Sequence, residues 1–139
     1  MPPISWSAAL SCGELALDRQ HEELIDIVNA LERALDAGDD CGTVDDCARR
    51  LLAYARFHFA TEERLMLAGS LPASIAGPHI VQHLAFANRV EAFAAAIGAA
   101  GLRERGLDLL GYLHRWLQDH ILKTDRALIA ALTGRPSDD

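Results

Sequence analysis

The sequence has no apolar run long enough to cross a membrane. The longest, from Ala92 to Leu102, has 11 residues, whereas a helix that spans a bilayer needs about 18. The first residues, Met1 to Trp6, lack the basic and apolar regions of a secretory signal peptide. We therefore expect a cytoplasmic protein that does not bind to membranes.

The sequence contains fewer basic than acidic residues. Lys and Arg total 13 against 20 Asp and Glu, which gives a formal net charge of −7. An acidic chain without a basic stripe is poorly suited to binding nucleic acid or an anionic membrane surface. The acidic charge also leads us to expect a monomer.

Cysteine is scarce and irregularly spaced. Cys12, Cys41 and Cys47 are an odd number and form no C-x-x-C pair, so they match neither a disulfide framework nor a zinc ribbon. Free thiols in a reducing compartment are the simplest interpretation.

Strand signals are also missing, because no segment alternates apolar and polar residues and no Asn-Gly turn occurs. Four segments have helical spacing instead, and Gly, Pro and Asp residues separate them. They run from Asp18 to about Ala37, from Thr43 to Gly69, from Pro78 to about Ile97, and from about Arg103 to Leu132. This pattern predicts an all-α fold, an up-down-up-down antiparallel four-helix bundle.

The 139 residues are about the size of one domain. Residues 1–17 contain Trp6, Leu10 and Leu15, too apolar for a free tail, and are expected to form an N-terminal arm packed on the bundle. Residues 18–133 would form the bundle itself, and residues 134–139 a short polar tail. Within the bundle, Ser70 to Gly77 is predicted to be a loop.

Histidine is the residue type whose spacing is unusual. His58 and Glu62 are four residues apart in the second predicted helix, and His79 and His83 are four apart at the start of the third. Residues at this spacing share one helix face, about 6 Å apart along the axis. Each pair can therefore reach a single metal ion.

The first and fourth helices each add a candidate, His21 and His120, on their apolar faces. Any one of these histidines is equally well explained as a core residue with an ordinary hydrogen-bond partner. Burying all of them with Glu62 and no partner would cost several kcal/mol for each group. A metal site satisfies the whole set, so the joint pattern predicts one.

Imidazole and carboxylate ligands suit iron, zinc, manganese or copper. The candidates are too many for one tetrahedral zinc ion, and a pair of metal ions in the core of a bundle fits better. Because histidines outnumber carboxylates, little negative charge is available to stabilise a highly oxidised metal. We hypothesise a site that binds O₂ reversibly rather than cleaving it.

Four motifs resemble those of the hemerythrins, specifically the single-domain bacteriohemerythrins. The family patterns are I-D-x-Q-H, H-F-x-x-E-E-x-x-M, H-x-x-x-H and W-L-x-x-H-I-x-x-x-D. In this chain they correspond to Leu17–His21, His58–Met66, His79–His83 and Trp116–Asp125. The resemblance extends from Trp6 to about Leu128.

This resemblance implies a four-helix bundle that holds two non-haem iron ions, Fe²⁺ or Fe³⁺, joined by an oxo or hydroxo bridge. One iron would keep an open position for O₂. The implied ligands are His79, His83 and His120 on one iron, His21 and His58 on the other, and Glu62 and Asp125 bridging both.

Asp125 would not be selected from spacing alone. It follows His120 by five residues, about 500° of rotation or 140° from the same face of an ideal α-helix. A long reach or a local distortion must bring it to the site. By contrast, His114 is expected at the surface or the rim of the bundle, and Glu63 is expected to be a solvated charge.

The resemblance also places Leu117 over the O₂ pocket, one turn before His120. Phe59 and Trp116 are candidates for the walls of the same pocket. Ordinary core packing explains all three side chains equally well, and the two interpretations are compatible.

The sequence thus favours a non-enzymatic O₂-binding protein, a carrier, store or sensor. The alternatives are a di-iron peroxidase or oxidase, a nitric oxide-handling protein, a metal storage or structural metal bundle, and a metal-free helical interaction module. The candidate physiological partners are an acceptor oxygenase and a respiratory protein.

Overall fold

The computed structural model describes residues 3–38 and 40–134 of the chain, and within them all regular structure is helical. The α-helices are α1 (Leu15–Asp36), α2 (Cys41–Ala68), α3 (Ala73–Ala95), α4 (Leu102–Asp119) and α5 (Arg126–Thr133). A π-helix (His120–Asp125) joins α4 to α5, and one 3₁₀ turn (Ala8–Leu10) lies in the arm.

Four helical rods form an antiparallel bundle, because α4, the π-helix and α5 follow one another without leaving helical backbone. The connections 37–40, 69–72 and 96–101 are short, so successive rods must reverse direction. Helix α2 packs against α1 and α3, and α4 also packs against α1 and α3. The predicted fold class is confirmed.

Helix α1 begins at Leu15 rather than after Asp18, so the predicted start is wrong. The Glu14 side chain caps the helix by accepting a hydrogen bond from the backbone N–H of Ala16. Asp18 lies in the first turn and accepts instead from the backbone N–H of Cys12. The last residues of the expected 1–17 arm are therefore helical.

Helix α2 likewise begins at Cys41, two residues before the predicted Thr43. The cap is Asp40, whose carboxylate accepts from the backbone N–H of Thr43 at 2.8 Å. A carboxylate at the N-terminus of a helix satisfies an unpaired N–H and is favoured by the helix dipole.

The loop predicted from Ser70 to Gly77 is largely absent, because α3 begins at Ala73. Pro72 ends the connection, and Pro78 lies inside the helix rather than at its start. Pro78 has no N–H to donate to the carbonyl of Ser74, and such a loss is best tolerated near the beginning of a helix.

The core lies between the four rods and consists of buried leucine, isoleucine, valine, alanine and phenylalanine side chains. Gly106 lets α4 approach α1 closely, since a Cβ atom at this position would lie 2.7 Å from both Cδ atoms of Leu35. Among the described residues, no helix is both long and apolar enough to cross a membrane.

The described part of the arm is tied to the bundle at two places. Ile4 is buried, and its backbone N–H and C=O pair with the side-chain amide of Asn29 at 3.1 and 2.8 Å. The guanidinium of Arg126 donates to the backbone carbonyls of Ala9 and Ser11. Residues 135–139 of the expected tail lie outside the described residues.

His114 was predicted to lie at the surface or the rim of the bundle; the structure buries it, so a position on the open surface is wrong. Its Nε2 lies 3.4 Å from Oε2 of Glu32, which is itself buried on α1. His114 follows Leu110 by four residues and precedes Leu117 by three, which places it on the inward face of α4.

Candidate metal centre

The structure brings together all seven predicted metal ligands in the interior of the bundle. Each of the seven residues is at most 4% exposed to solvent. They come from all four rods, namely His21 on α1, His58 and Glu62 on α2, His79 and His83 on α3, and His120 and Asp125 on the π-helix.

The seven residues divide into two groups of four that share Glu62. One contains Glu62, His79, His83 and His120, and the other contains His21, His58, Glu62 and Asp125. Within each group, one potential ligand atom per residue lies within 4.8 Å of all the others. The three-histidine and two-histidine division matches the arrangement that the family resemblance implies.

Both carboxylates face the two groups at once. Asp125 places Oδ1 2.9 Å from Nε2 of His120 and Oδ2 2.6 Å from Nε2 of His21. Glu62 places Oε1 2.7 Å from Nε2 of His58 and 3.4 Å from Nε2 of His83. This geometry suits carboxylates that bridge two metal ions.

The π-helix explains how Asp125 reaches the centre. A π-helix closes hydrogen bonds between residues five apart, so residues i and i+5 lie close together on one side. His120 and Asp125 are the first and last residues of this segment. The local distortion expected from the sequence is therefore present.

Three of the predicted ligand histidines are oriented by side chains from a neighbouring helix. Nδ1 of His58 bonds to Oε1 of Gln20 at 2.7 Å, and Nδ1 of His120 bonds to Oε1 of Gln82 at 2.9 Å. These oxygens can only accept, so each Nδ1 carries a hydrogen and Nε2 is the ring nitrogen that faces the centre.

The third orienting side chain is Glu63, whose Oε2 accepts from Nδ1 of His83 at 2.9 Å. The prediction that Glu63 is only a solvated charge is wrong. Gln20 and Gln82 carried no predicted role. Each of the three is a chain neighbour of a ligand, since Gln20 precedes His21, Glu63 follows Glu62 and Gln82 precedes His83. This adjacency was the available signal.

Many inward-facing polar atoms at the centre form no well-oriented hydrogen bond among the described residues, although several lie within ion-pair distance of one another. They are Nε2 of His58, His79, His83 and His120, both carboxylate oxygens of Glu62, and Oδ1 of Asp125. Uncharged Nε2 atoms and carboxylate oxygens are all acceptors, so bringing them together requires protons or cations between them. This donor set fits metal ions that prefer nitrogen and oxygen ligands.

The pKa values of the histidines in the metal-free centre also indicate a site that suits cations. Burial alone would lower the pKa of His120, but the charges of Asp125 and Glu62 outweigh it and raise this pKa to about 9. The pKa of His79 is also raised, since contacts with the same carboxylates outweigh burial. Protons thus occupy positions that suit metal ions.

The two carboxylates remain ionised in this environment. Burial would raise the pKa of Asp125, but the charge of His120 outweighs it and lowers that pKa. Contacts with Asp125 and the surrounding histidines similarly lower the pKa of Glu62 despite its burial. At His58, in contrast, burial dominates and lowers the pKa.

Aromatic rings cover two of the ligand histidines. Phe59 stacks on His83 with ring centroids 4.1 Å apart, and Trp116 stacks on His120 at 4.2 Å. Such stacking fixes the ring planes and keeps water from the exposed faces. Leu117 is fully buried in the adjoining core, one turn from the π-helix.

Comparison with known proteins agrees with this arrangement. The family model described as hemerythrin HHE cation binding domain matches residues 13–132. A bacteriohemerythrin from Pseudomonas paraeruginosa is 30% identical over 132 residues, which cover 95% of this chain and 83% of that protein. One from Ralstonia nicotianae is 31% identical over 141 residues, covering 99% and 95% of the two chains.

A solved structure, that of a leucine-to-phenylalanine mutant, superposes with a TM-score of 0.82. It is 23% identical and the match covers 96% of this chain and 99% of the other, which supports the fold. The family match extends over most of the chain and contains every residue of the seven-ligand cluster. The chain belongs to the hemerythrin family of HHE cation-binding domains.

Proposed function

We propose that this protein binds O₂ reversibly at a non-haem di-iron centre and is a carrier, store or sensor rather than an enzyme. The observation that carries the proposal is the buried set of five imidazoles and two ionised carboxylates with unpartnered inward atoms. Imidazole and carboxylate ligands in the core of a helical bundle suit a pair of iron ions.

The two groups of side chains assign the ligands. His79, His83 and His120 would hold one iron, and His21 and His58 the other. Glu62 and Asp125 would bridge them, since each carboxylate faces both groups. The group with fewer histidines leaves room for a ligand from solution.

A ferrous pair supplies the electrons on which reversible O₂ binding depends. Two carboxylates are a small anionic contribution beside five neutral imidazoles, so the ligand set favours the lower oxidation state. The chain itself supplies orientation, because Gln20, Glu63 and Gln82 fix the planes of three imidazoles. Such partners support metal affinity as well as geometry.

Exclusion of water is the second contribution of the chain. Phe59 and Trp116 stack on ligand rings, and Leu117 fills the core beside the π-helix. A dry apolar wall limits stray proton transfer to a bound ligand. We assign these three residues to the O₂ pocket.

The test is the absorption spectrum of iron-loaded protein cycled between dithionite-reduced protein under argon and protein in air. Ligand-to-iron charge-transfer bands that appear in air and fade under argon are the expected result. Bands that persist after one exposure, with rapid turnover of peroxide and a reducing dye, would favour a peroxidase or oxidase. Protein loaded with zinc is the control and should show no such bands.

Two further expectations accompany this function. The acidic chain should be a monomer, which sedimentation equilibrium of the iron-loaded protein will test. A cytoplasmic location, which fits a reduced iron pair, can be tested by fractionating cells that produce the protein.

A further inference from the structure

A second cluster of potential ligands lies outside the seven-ligand centre. Sγ of Cys12, a carboxylate oxygen of Asp18 and a ring nitrogen of His21 all lie within 4.8 Å of one another. Cys12 and His21 are buried, and Asp18 is half-buried. The cluster joins the arm to the first two turns of α1.

Hydrogen bonds hold this cluster in place. The backbone N–H of Cys12 donates to Oδ1 of Asp18 at 2.8 Å, and the hydroxyl of Ser11 donates to Oδ2. The arm therefore keeps the thiol next to the carboxylate, without any contribution from a metal.

His21 differs from His58 and His120 in the hydrogen bonding of its Nδ1 atom, which faces away from the centre. Its Nδ1 is buried and has no hydrogen-bond partner among the described residues, whereas Nδ1 of His58 and of His120 bond to glutamine oxygens. Nε2 of His21 bonds to Oδ2 of Asp125 at 2.6 Å.

This bond engages the inner side of the His21 ring with Asp125. Nδ1 is the ring nitrogen of His21 that is left without a partner among the described residues. A buried ring nitrogen without a partner, on a histidine grouped with a thiol and a carboxylate, is a candidate metal ligand.

The cluster also borders the outside of the molecule. Cys12 lines an open cavity of about 870 Å³ together with Ser11, Glu14 and Arg126. The seven residues of the centre are buried. The cavity therefore gives a cation from solution access to the Cys12 side of the cluster.

We propose that Cys12, Asp18 and Nδ1 of His21 form a capture site that binds a divalent transition-metal ion in the metal-free protein and passes it inward. Thiolate, carboxylate and imidazole are suitable ligands for Fe²⁺, Co²⁺ or Zn²⁺. Binding releases the thiol proton to solvent, and the thiolate regains a proton when the ion leaves.

His21 makes the capture site and the centre mutually exclusive. The His21 ring belongs to both ligand groups. An ion held in the centre through Nε2 of His21 would therefore compete for this ring with an ion held by Cys12 and Asp18. This competition rests on the centre itself holding metal.

The test is a Co²⁺ titration of metal-free, fully reduced protein, followed in the near ultraviolet. Sulfur-to-cobalt charge-transfer absorption should appear first and decay as the centre fills. Cys12→Ser should abolish this band and slow loading of the centre about tenfold, the lower end of the loss seen when a ligand's partner is removed. Asp18→Asn keeps an acceptor for the Cys12 N–H and should weaken the band without unfolding the arm.

The matched control is Cys41→Ser, since Cys41 is an exposed thiol beyond the far end of α1, and it should retain both band and loading rate. Three outcomes would overturn the proposal. The band could be absent from the unaltered protein, it could persist when the centre is full, or Cys12→Ser could load the centre at the normal rate. Final metal content separates the two hypotheses. A centre that fills normally without the band refutes the capture site alone, and a centre that never fills refutes the di-iron function.

Discussion

Nε2 of His120 and Oδ1 of Asp125 lie 2.9 Å apart although five residues separate them in the chain. In an α-helix they would point to different faces, and the π-helix between them removes this difference. The extra residue per turn rotates Asp125 into the bundle and leaves α5 to continue the rod. One local change in helix geometry thus supplies the second carboxylate of the centre.

Asp125→Asn should sharply reduce metal binding. The amide removes a negative charge that faces both ligand groups, so we expect a loss greater than the roughly 10- to 100-fold caused by removing a side chain that only orients a ligand. Metal affinity and metal content, measured by competition with a chelator and by mass spectrometry, are the tests. Asp119→Asn is the matched control, because Asp119 is exposed one residue before His120 and should bind metal normally.

Periodicity was sufficient to predict the four rods, because their apolar faces follow helical spacing. It failed at helix ends, where the side chain that caps the helix decides the boundary. Glu14 and Asp40 cap α1 and α2 earlier than expected. Pro78 predicts the start of the third helix, but that helix begins five residues earlier, at Ala73.

Some members of the candidate ligand set can be predicted from residue spacing, but the complete set cannot. His58 and Glu62, or His79 and His83, follow from a spacing of four in an ordinary α-helix. The role of Asp125 as a ligand is predicted only by the family resemblance. Its position depends on a π-helix, which the spacing of residues in the sequence does not predict. The orienting role of Glu63 was missed because it depends on which rods are neighbours, a tertiary property.

Gln82→Leu should weaken metal binding without removing a ligand. Oε1 of Gln82 accepts hydrogen bonds from Nδ1 of His120 and from the hydroxyl of Thr124. Loss of this acceptor frees the imidazole to rotate and removes the bond that holds the hydrogen on Nδ1, so affinity should fall about 10- to 100-fold. Gln82→Glu retains an acceptor and should largely restore affinity. Gln118→Leu, at an exposed position of α4, should have no effect, and equal losses in all three variants would contradict the assignment.

The metal-free protein should lose stability as the pH rises from 6.5 to about 9. The carboxylates raise the pKa of His120 from 6.5 to about 9 against the effect of burial. A group with a raised pKa in the folded state stabilises the fold fully below its unfolded pKa, and this contribution is lost as the pH passes the folded value. The loss is on the order of 3 kcal/mol, measurable as the free energy of unfolding in urea.

The low pKa of His58 does not oppose this trend, since its effect on stability lies below pH 6.5. Asp125→Asn should flatten the profile, because the Asp125 charge is the largest influence that raises the pKa of His120. Metal ions that replace these protons bind more tightly as the pH rises, so metal-loaded protein should not share the decline. A metal-free protein whose stability is constant or rises across this range would exclude the argument.

Leu117→Ala should keep both metal ions but accelerate oxidation of the iron-loaded, O₂-bound protein to a form that no longer releases O₂. The substitution opens space beside the ligand pocket and admits water, while every ligand side chain remains. It should also cost about 2–5 kcal/mol of stability, as removal of a buried leucine side chain does. Leu113→Ala is the matched control, because Leu113 is equally buried one turn earlier on α4 and should lose comparable stability. The decay of the O₂-dependent bands in air, followed at a temperature where both variants are folded, separates a pocket lid from ordinary core packing. If the two variants oxidise at the same rate, Leu117 is only a packing residue.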